Sequence, residues 1–359
     1  MNNRRKEIGF NLLAWLIAGN MFVIFRFFGM YDFEQYFILK KPIEMELMFF
    51  EANVVAVVNG LLLSLVDILF DTPKFKRNSF RYIITVKSLA YVVTMFISIV
   101  SIFVLHGIII NRENNFMYSL TYTLGSQYTI ALYLYGAFIS LLINVLKEVN
   151  KKFGPGILIK LFSGRYYNPR VEDRIFMFID LKASTTIAEK LGHLKYSRLI
   201  QDCFYDVTDV VAKFGAEIYQ YVGDEIVLTW ELEKGIENDN CFRFFFEFRN
   251  KLELLSDYYK EKYGILPVFK AGMNCGTITV AEVGEIKKEI AYHGDVLNTA
   301  SRIQDQCNEY NKPLLISNNL YKKMPRTGVF KIELIGEMML KGKLNPVGVY
   351  SVDCSNPVI

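Results

Sequence analysis

Two aspartates lie where the sequence predicts the ends of neighbouring β-strands. Asp180 closes the nearly continuous apolar run RIFMFIDL, which is typical of a buried central strand. Asp224 follows Gly223 in AEIYQYVGDEIVLTW, where apolar and polar residues alternate on both sides of the Gly-Asp pair, as in a β-hairpin. Each aspartate also has a simpler interpretation, Asp180 as a helix N-cap and Asp224 as a solvated turn residue. If the hairpin lies beside the first strand, both carboxylates reach one point, which suits Mg²⁺ and metal-assisted displacement at a phosphate.

A second set of polar residues, further along the chain, has the chemistry to bind phosphate. Asn298 and Arg302 are four residues apart in a predicted helix and therefore share one face. Lys341 and Lys343 flank a glycine in a predicted loop, where a lysine can reach a triphosphate as a point charge. The alternatives are a surface salt bridge between Arg302 and Asp305, and a solvated turn lysine at position 341.

The elements that carry these residues alternate between strand and helix from Arg174 onward. After the first strand, Ser184 and Thr185 offer an N-cap for a long amphipathic helix. Hairpins mixed with helices indicate an α+β domain rather than a doubly wound one. The later strands are predicted in PVFKAGMNCGTITVAEVG, in PLLISNNLY and in a hairpin around Lys341-Gly342-Lys343.

The first half of the chain is much more apolar than the second. Hydrophobic residues make up 52% of the sequence, and the excess is concentrated before residue 150. A helix needs about 20 apolar residues to cross the hydrocarbon layer of a bilayer. Four segments meet this requirement and predict an all-α transmembrane domain over residues 1–146. Its helices are expected at about 8–28, 47–70, 84–110 and 116–146.

Basic residues flank these segments on one side of the predicted membrane. They cluster before the first segment, between the second and third, and after the fourth, so both termini should face the cytoplasm. This predicts a multi-pass protein of the cell (inner or plasma) membrane, with the lipid bilayer as a partner. Five scattered cysteines without C-x-x-C spacing fit a reducing compartment and predict no zinc site. The net charge of +4 is too small to indicate nucleic acid binding.

Four ionisable residues fall within the apolar segments or at their ends: Glu51, Asp67, Lys87 and His106. Charge inside a membrane is costly and often functional, so ligand sensing or helix pairing is one hypothesis. The other is that all except His106 lie near helix ends and reach the interface.

Residues 147–170 are predicted to link the two domains. Gly154-Pro155-Gly156 should end the fourth helix, because proline cannot continue it. A short amphipathic piece at residues 157–162 follows. This linker carries motion from the membrane to the second domain, or it is only a spacer.

Four motifs in the second half resemble those of the class III nucleotidyl cyclase catalytic domain. Each motif is weak alone, but all four occur in the family's order and at roughly its spacing within residues 171–353. The resemblance implies an α+β cyclase domain with a ferredoxin-like, palm-type antiparallel sheet and flanking helices. A membrane domain joined by a short linker is also common in this family. The motifs are FMFIDLKASTT, QYVGDEIV, HGDVLNTASR and LKGK.

The resemblance implies a metal site. Asp180 and Asp224 match the family's two metal-binding aspartates, and the backbone of Ile179 or Leu181 would add a carbonyl ligand. The implied cofactor is Mg²⁺, two ions per site, with Mn²⁺ as a substitute. The ribose 3′-hydroxyl attacks the α-phosphate in this family, and pyrophosphate leaves.

The resemblance also implies how the nucleotide is held. Arg302 matches the arginine that stabilises charge developing on the α-phosphate, and Asn298 matches the asparagine that orients the ribose. Lys341 matches the lysine that holds the terminal phosphates. In the family these three come from one protomer and the aspartates from the other. The implied unit is therefore a head-to-tail homodimer with two composite sites.

The sequence departs from the family where the purine is read. Adenylyl cyclases usually have lysine three residues before the glycine of the second metal motif, and this chain has Gln220. The other base-reading position, usually aspartate or threonine, is Ala291. Guanylyl cyclases usually have glutamate and cysteine at these places, so neither usual pair is present. A glutamine amide both donates and accepts hydrogen bonds, so it suits adenine or guanine.

The sequence therefore predicts a membrane-bound adenylate cyclase that makes cyclic AMP for intracellular signalling. ATP is favoured over GTP as the commoner substrate among membrane-bound cyclases of this build. The alternatives are a guanylate cyclase, a catalytically weak cyclase-like dimeric signalling module, and a small transporter with a regulatory nucleotide-binding domain.

Overall fold

A computed structural model describes residues 2–36, 45–109, 116–154, 157–325, 328–340 and 345–354. The chain divides into two compact units, Met1–Phe153 and Gly154–Ile359. The division falls within the segment that the sequence analysis assigns to the linker.

The first unit is entirely helical where it is described. Four of its helices contain windows long and apolar enough to cross a membrane: Glu7–Arg26, Met48–Leu69, Phe80–Leu105 and Thr129–Lys151. Interhelical polar pairs hold them together, for example Asn20 with Asn53 at 3.0 Å and Ser98 with Asn59 at 2.7 Å. The helices are α1 (Asn2–Tyr36), α2 (Met45–Leu69), α3 (Pro73–Lys76), α4 (Phe80–Ile109), α5 (Phe116–Gly125) and α6 (Gln127–Phe153).

The fourth apolar segment differs from the single helix expected over 116–146. It is broken after Gly125, so α5 and α6 are separate helices, and α6 continues to Phe153. Glycine is a poor helix former because it has the most backbone freedom to lose, and this favours a break at that point. Residues 147–153, which were assigned to the linker, belong to α6 instead. Gly154 follows the helix with a φ of 93°, a conformation suited to glycine at a helix end.

Asp67 and Lys87 are buried among the helices of the first unit. Asp67 on α2 lies 2.8 Å from the Nζ of Lys87 on α4 and 2.5 Å from the Nζ of Lys147 on α6. Lys87 also lies 3.6 Å from Glu148. Because buried charges are stable only when they are paired, these contacts support the helix-pairing hypothesis for both residues. The side chain of His106 lies outside the described part of the chain.

The second unit is an α+β domain, as the sequence predicts. Its helices are α7 (Ile157–Phe162), α8 (Ser184–Lys213), α9 (Leu232–Ile236), α10 (Asn240–Leu254), α11 (Ser256–Tyr263), α12 (Asp295–Glu309) and α13 (Asn318–Lys323), with a 3₁₀ turn at Glu237–Asp239. Its strands are β1 (Arg170–Leu181), β2 (Glu217–Val222), β3 (Glu225–Glu231), β4 (Phe269–Val283), β5 (Glu289–His293), β6 (Leu314–Ser317), β7 (Phe330–Met338) and β8 (Val347–Cys354).

The strands form one sheet in the order β2-β3-β1-β4-β6-β8-β7, with β5 paired to β4. Most neighbours are antiparallel, but β4 and β6 are parallel, so the sheet is mixed rather than purely antiparallel. The reason is that α12 lies between β5 and β6 in the chain and packs on β4, and a helical crossover returns the chain in the parallel direction. The central position of β1 agrees with its apolar sequence.

Alternate residues of β1 face opposite sides of the sheet. Ile175, Met177 and Ile179 are fully buried in the larger core with α8, α10 and α11. Phe176 faces the other side, where it joins a smaller core with residues of β4 and α12. Asp180 shares the face of Phe176, and this places it on the α12 side of the sheet.

The start of α8 differs from the expected side-chain cap. The helix begins at Ser184, and the N-cap residue is Ala183, which has a left-handed φ of 58° and makes no side-chain capping bond. Neither Ser184 nor Thr185 is therefore the cap, and Asp180 does not cap this helix. The N-cap interpretation of Asp180 is wrong, so its burial requires another explanation.

Gly272 allows α12 to approach β4 closely. A Cβ atom at this position would lie 2.2 Å from the backbone nitrogen of Gln304, which no small side-chain movement can relieve. We expect Gly272→Ala to lower the free energy of unfolding by about 3 kcal/mol, the upper part of the usual range for overpacking. Chemical denaturation of the full chain measures it. The matched control is Gly276→Ala on the same strand, which meets only the side chain of Val296 and should cost about 1 kcal/mol. Equal losses in the two variants would contradict the role of Gly272.

Candidate active site

Strand register brings Asp180 and Asp224 to one end of the sheet. The strands β1 and β3 are antiparallel, with Ile179 opposite Ile226, so Asp180 lies next to the turn that joins β2 and β3. Asp224 lies in that turn after Gly223, whose φ of 62° suits a tight hairpin. The condition set by the sequence, that the hairpin lies beside the first strand, is met.

The two carboxylates interact. Burial raises the pKa of Asp180, and the negative charge of Asp224 raises it further. Lys270, directly opposite on β4, opposes this shift with its Nζ 3.2 Å from Oδ2 of Asp180. Gln304 on α12 donates to the same oxygen at 3.2 Å. The site therefore holds two acidic groups close together. Among the described residues, Lys270 is the ion-pair partner of Asp180.

The chemistry of these residues fits a divalent cation. Oδ2 of Asp224 is buried and has no hydrogen-bond partner among the described residues. A buried carboxylate oxygen without a partner is costly, and a cation at this point would satisfy it. Carboxylate and carbonyl oxygens are the ligands that Mg²⁺ prefers. Within the described ranges no group of three or more His, Cys, Asp or Glu side chains forms a metal cluster, so further ligands would be backbone carbonyls, water or substrate.

Other residues at this end of the sheet were missed by the sequence analysis. Burial and the charge of Asp224 raise the pKa of the Tyr196 hydroxyl to about 12. Burial and the charge of Asp180 raise the pKa of Glu225, the residue after Asp224, to about 7. Lys270 could have been noticed in the sequence, because it is a charged residue within the apolar strand sequence PVFKAGMN. Its pairing with Asp180 depends on strand register, which the sequence does not give.

Asn298 and Arg302 lie on α12, on the shared face that their spacing predicts. Asn298 is exposed and Arg302 is half-buried. Within the described part of the chain Arg302 makes no ion pair, so the structure gives no support to the alternative of a salt bridge to Asp305. Lys341 lies outside the described residues, between β7 and β8. The antiparallel pairing of those strands agrees with the predicted hairpin.

The two base-reading positions lie on β2 and β5. Gln220 is exposed and follows an irregularity in the pairing of β2 with β3, and Ala291 is half-buried. The residues beside them, Tyr219 and Tyr292, pack against each other with their ring centroids 4.9 Å apart. The two strands are not neighbours in the sheet, and this ring contact joins them across its face.

The second half of the chain is similar in sequence to known nucleotide cyclases. Residues 166–353, just over half of the chain, match the family model for the adenylate and guanylate cyclase catalytic domain. Adenylate cyclase 2 of Rhizobium meliloti (strain 1021) is 33% identical over 205 residues, which cover 57% of this chain and 56% of that protein. The receptor-type guanylate cyclase gcy-7 of Caenorhabditis elegans is 25% identical over 191 residues, covering 51% of this chain and 17% of that protein. The chain thus spans little more than half the length of the first of these relatives.

A solved structure shares the fold. The structure of a bacterial light-regulated adenylyl cyclase superposes with a TM-score of 0.54 at 17% identity, covering 64% of this chain and 67% of that one. At this identity the similarity concerns the fold alone. It agrees with the α+β architecture of the second unit.

Proposed function

Because the chain belongs to the adenylate and guanylate cyclase catalytic-domain family, we propose that it is a membrane-bound adenylate cyclase that converts ATP to 3′,5′-cyclic AMP and pyrophosphate for intracellular signalling. The observation that carries this proposal is the convergence of Asp180 and Asp224 at one end of the sheet, with an unpartnered buried oxygen on Asp224. Burial and mutual repulsion destabilise such a pair of carboxylates. A hairpin with only a structural role would therefore be more stable without the pair.

Asp180, Asp224 and the backbone carbonyl of Ile179 or Leu181 would hold two Mg²⁺ ions, with Mn²⁺ as a substitute. When bound, the metal activates the ribose 3′-hydroxyl and neutralises phosphate charge. The chain's own contribution is to hold the two carboxylates in place. Lys270 does this for Asp180 from the opposite strand at 3.2 Å.

The substrate-binding residues would come from the second protomer of a homodimer. Gln304 donates to Asp180, and Arg302 lies two residues earlier, about 200° around the helix. Arg302 therefore does not share the helix face that contacts Asp180 in its own chain. It is available to stabilise charge on the α-phosphate in the partner's site, with Asn298 on the same face to orient the ribose. Lys341 would hold the terminal phosphates.

ATP is the proposed substrate, and GTP is the alternative. The Rhizobium meliloti relative is named an adenylate cyclase, whereas the Caenorhabditis elegans relative is named a guanylate cyclase. Gln220 and Ala291 match neither usual purine-reading pair. The exposed amide of Gln220 can donate and accept at once, which suits the N1 and N6 groups of adenine.

Gln220→Glu tests the purine assignment. A carboxylate accepts but does not donate, so it should pair with guanine N1 and repel adenine N1. We expect the ratio of kcat/KM for ATP to that for GTP to fall about tenfold, which corresponds to about 1.4 kcal/mol. Tyr221→Phe, next to it on the exposed part of β2, is the control and should leave the ratio unchanged. An unaltered ratio in Gln220→Glu would remove this residue from the purine pocket.

The four long apolar helices support a multi-pass location in the cell (inner or plasma) membrane. The distribution of basic residues supports cytoplasmic N- and C-termini, with the bilayer as a partner and no role for nucleic acid. A reporter fused after Ile359 should therefore be active only in the cytoplasm.

The proposed activity is tested with the purified full-length protein in lipid nanodiscs. It is supplied with Mg²⁺ or Mn²⁺ and with either ATP or GTP, and the cyclic product is measured. We expect cyclic AMP from ATP and a smaller amount of cyclic GMP. A larger yield from GTP would make the protein a guanylate cyclase. If neither nucleotide gave a cyclic product, the enzyme proposal would be wrong and the signalling-module alternative would be favoured.

A further inference from the structure

Arg174 on β1 is completely buried. It contacts Glu217 on β2 and Tyr292 on β5, the two strands that carry the proposed purine-reading positions. Its exposed fraction is 0%, and three protein groups receive its hydrogen bonds. Nε donates to Glu172 at 2.9 Å, while Nη1 donates to Glu217 on β2 at 3.1 Å and to Thr229 on β3 at 3.4 Å. A buried guanidinium is stable only with such partners, so these contacts fix three adjacent strands relative to one charge.

The same guanidinium supports the contact between β2 and β5. Its central carbon lies 5.1 Å from the centroid of the Tyr292 ring, within the range of a cation–π interaction. Tyr292 in turn packs against Tyr219. Gln220 directly follows Tyr219, and Ala291 directly precedes Tyr292. Arg174 therefore lies against one of the two rings that join β2 to β5, the strands that carry the two proposed purine-reading positions.

Two carboxylates connect Arg174 to the segment that enters the domain. The second oxygen of Glu217 accepts from Nζ of Lys160 on α7 at 2.8 Å. The second oxygen of Glu172 accepts from the hydroxyl of Tyr166 at 2.9 Å. Each glutamate thus binds Arg174 through one oxygen and the entering segment through the other. Because Lys160 is only 16% exposed, its ion pair is less screened by solvent than an ordinary surface pair.

We propose that Arg174 is a positioning residue for the purine pocket, and that the Lys160–Glu217 ion pair lets the linker helix α7 control how well this pocket binds the base. The inference rests on the proposed cyclase function. If α7 moves, either Glu217 moves together with Lys160, or the ion pair between these two residues breaks. The end of β2 then shifts relative to β5, and the Gln220–Ala291 pocket changes shape. The metal-binding aspartates lie beyond this cluster, so substrate recognition changes more than the chemical step.

The test uses the full-length protein in nanodiscs with Lys160→Met, which keeps most of the side-chain volume but removes the charge. We expect KM for ATP to rise about threefold to tenfold and the ATP/GTP ratio to change, while kcat stays within about twofold, because the pair acts on binding. Lys160→Arg, which keeps the charge, should have the wild-type KM and the wild-type ATP/GTP ratio. The matched control is Lys312→Met, which removes a partly buried pair to Asp353 at 2.9 Å, away from this cluster. It should change neither value.

A second measurement does not depend on catalysis. Backbone amide exchange of residues 217–222 and 289–293 should become at least about threefold faster in Lys160→Met and remain at the wild-type rate in Lys312→Met. Arg174→Lys, which keeps the charge but loses the planar fork, should produce the same changes more strongly. If that variant does not fold, the Lys160 variants decide alone.

The outcomes separate this inference from the proposed function. A wild-type protein that makes no cyclic product refutes the cyclase activity, and binding of a fluorescent ATP analogue then replaces KM as the readout. Unchanged exchange in both strands would overturn the inference, whatever the kinetics. Faster exchange with an unchanged KM (or nucleotide Kd) would also overturn it, because Lys160 would then stabilise the fold without affecting substrate recognition.

Discussion

Asp180→Asn should reduce cyclic nucleotide formation about a thousandfold or more at saturating Mg²⁺, without loss of the fold. The substitution keeps the size of the side chain but removes a charged oxygen ligand from the proposed metal site, where transition-state charge is stabilised. The folded-state pKa of Asp180 lies above its ordinary value, mainly because of burial and then because of Asp224. Ionisation of Asp180 therefore costs more free energy in the folded protein than in the unfolded chain. A neutral amide should leave the thermal midpoint unchanged or raise it.

The matched control is Asp173→Asn on the same strand. Asp173 is exposed and accepts a hydrogen bond from Thr277 at 2.6 Å, away from the acidic site. It should keep activity within about twofold of the wild type, as is usual for surface changes away from a site. Product formation and thermal unfolding are measured on the same preparations. Substantial activity in Asp180→Asn, or an equal loss in Asp173→Asn, would refute the role given to Asp180.

Mixing two inactive variants should restore activity if each active site is shared between protomers. Arg302→Ala removes the group that stabilises charge on the α-phosphate, and it should lower kcat by a factor of about 10² to 10³. An Asp180→Asn/Arg302→Ala heterodimer would have one site with both defects and one intact site. Random pairing makes half of the dimers heterodimers, and half of their sites are intact. About a quarter of wild-type activity is therefore expected from the unseparated mixture, and about half from isolated heterodimers.

The experiment is performed by coexpression with two different affinity tags, so that heterodimers can be isolated before the assay. The control is a double variant carrying both substitutions in one chain, coexpressed with wild-type protein. In one site of that heterodimer the wild-type chain supplies Asp180, but the variant chain lacks Arg302. In the other site the wild-type chain supplies Arg302, but the variant chain lacks Asp180. Both sites should therefore be inactive. Isolated Asp180→Asn/Arg302→Ala heterodimers without activity would show that the site lies within one chain.

The pair Asp180 and Asp224 shows how much sequence patterns can predict. The apolar run before Asp180 and the alternation around Asp224 are local signals, and both correctly predicted a strand end and a hairpin tip. The four-residue spacing of Asn298 and Arg302 likewise predicted their shared helix face. Other expectations failed where local signals were weak. The apolar run of residues 116–146 does not clearly indicate a break after Gly125. Likewise, nothing in the sequence indicates that Ala183, with its left-handed backbone conformation, is the N-cap of α8.

The sequence by itself determined the type of domain, the presence of four apolar helices long enough to cross a membrane, and the residues expected to perform the chemistry. It did so because periodicity, turn residues and motif spacing are properties of short segments. Tertiary structure alone decided that Lys270 and Gln304 hold Asp180, and that Glu217 on β2 binds both Arg174 on β1 and Lys160 on α7. It also placed Asp67 and Lys87 together inside the helical unit. Each of these contacts joins residues that are distant in the chain, and strand register and helix packing select such partners only when the whole domain folds.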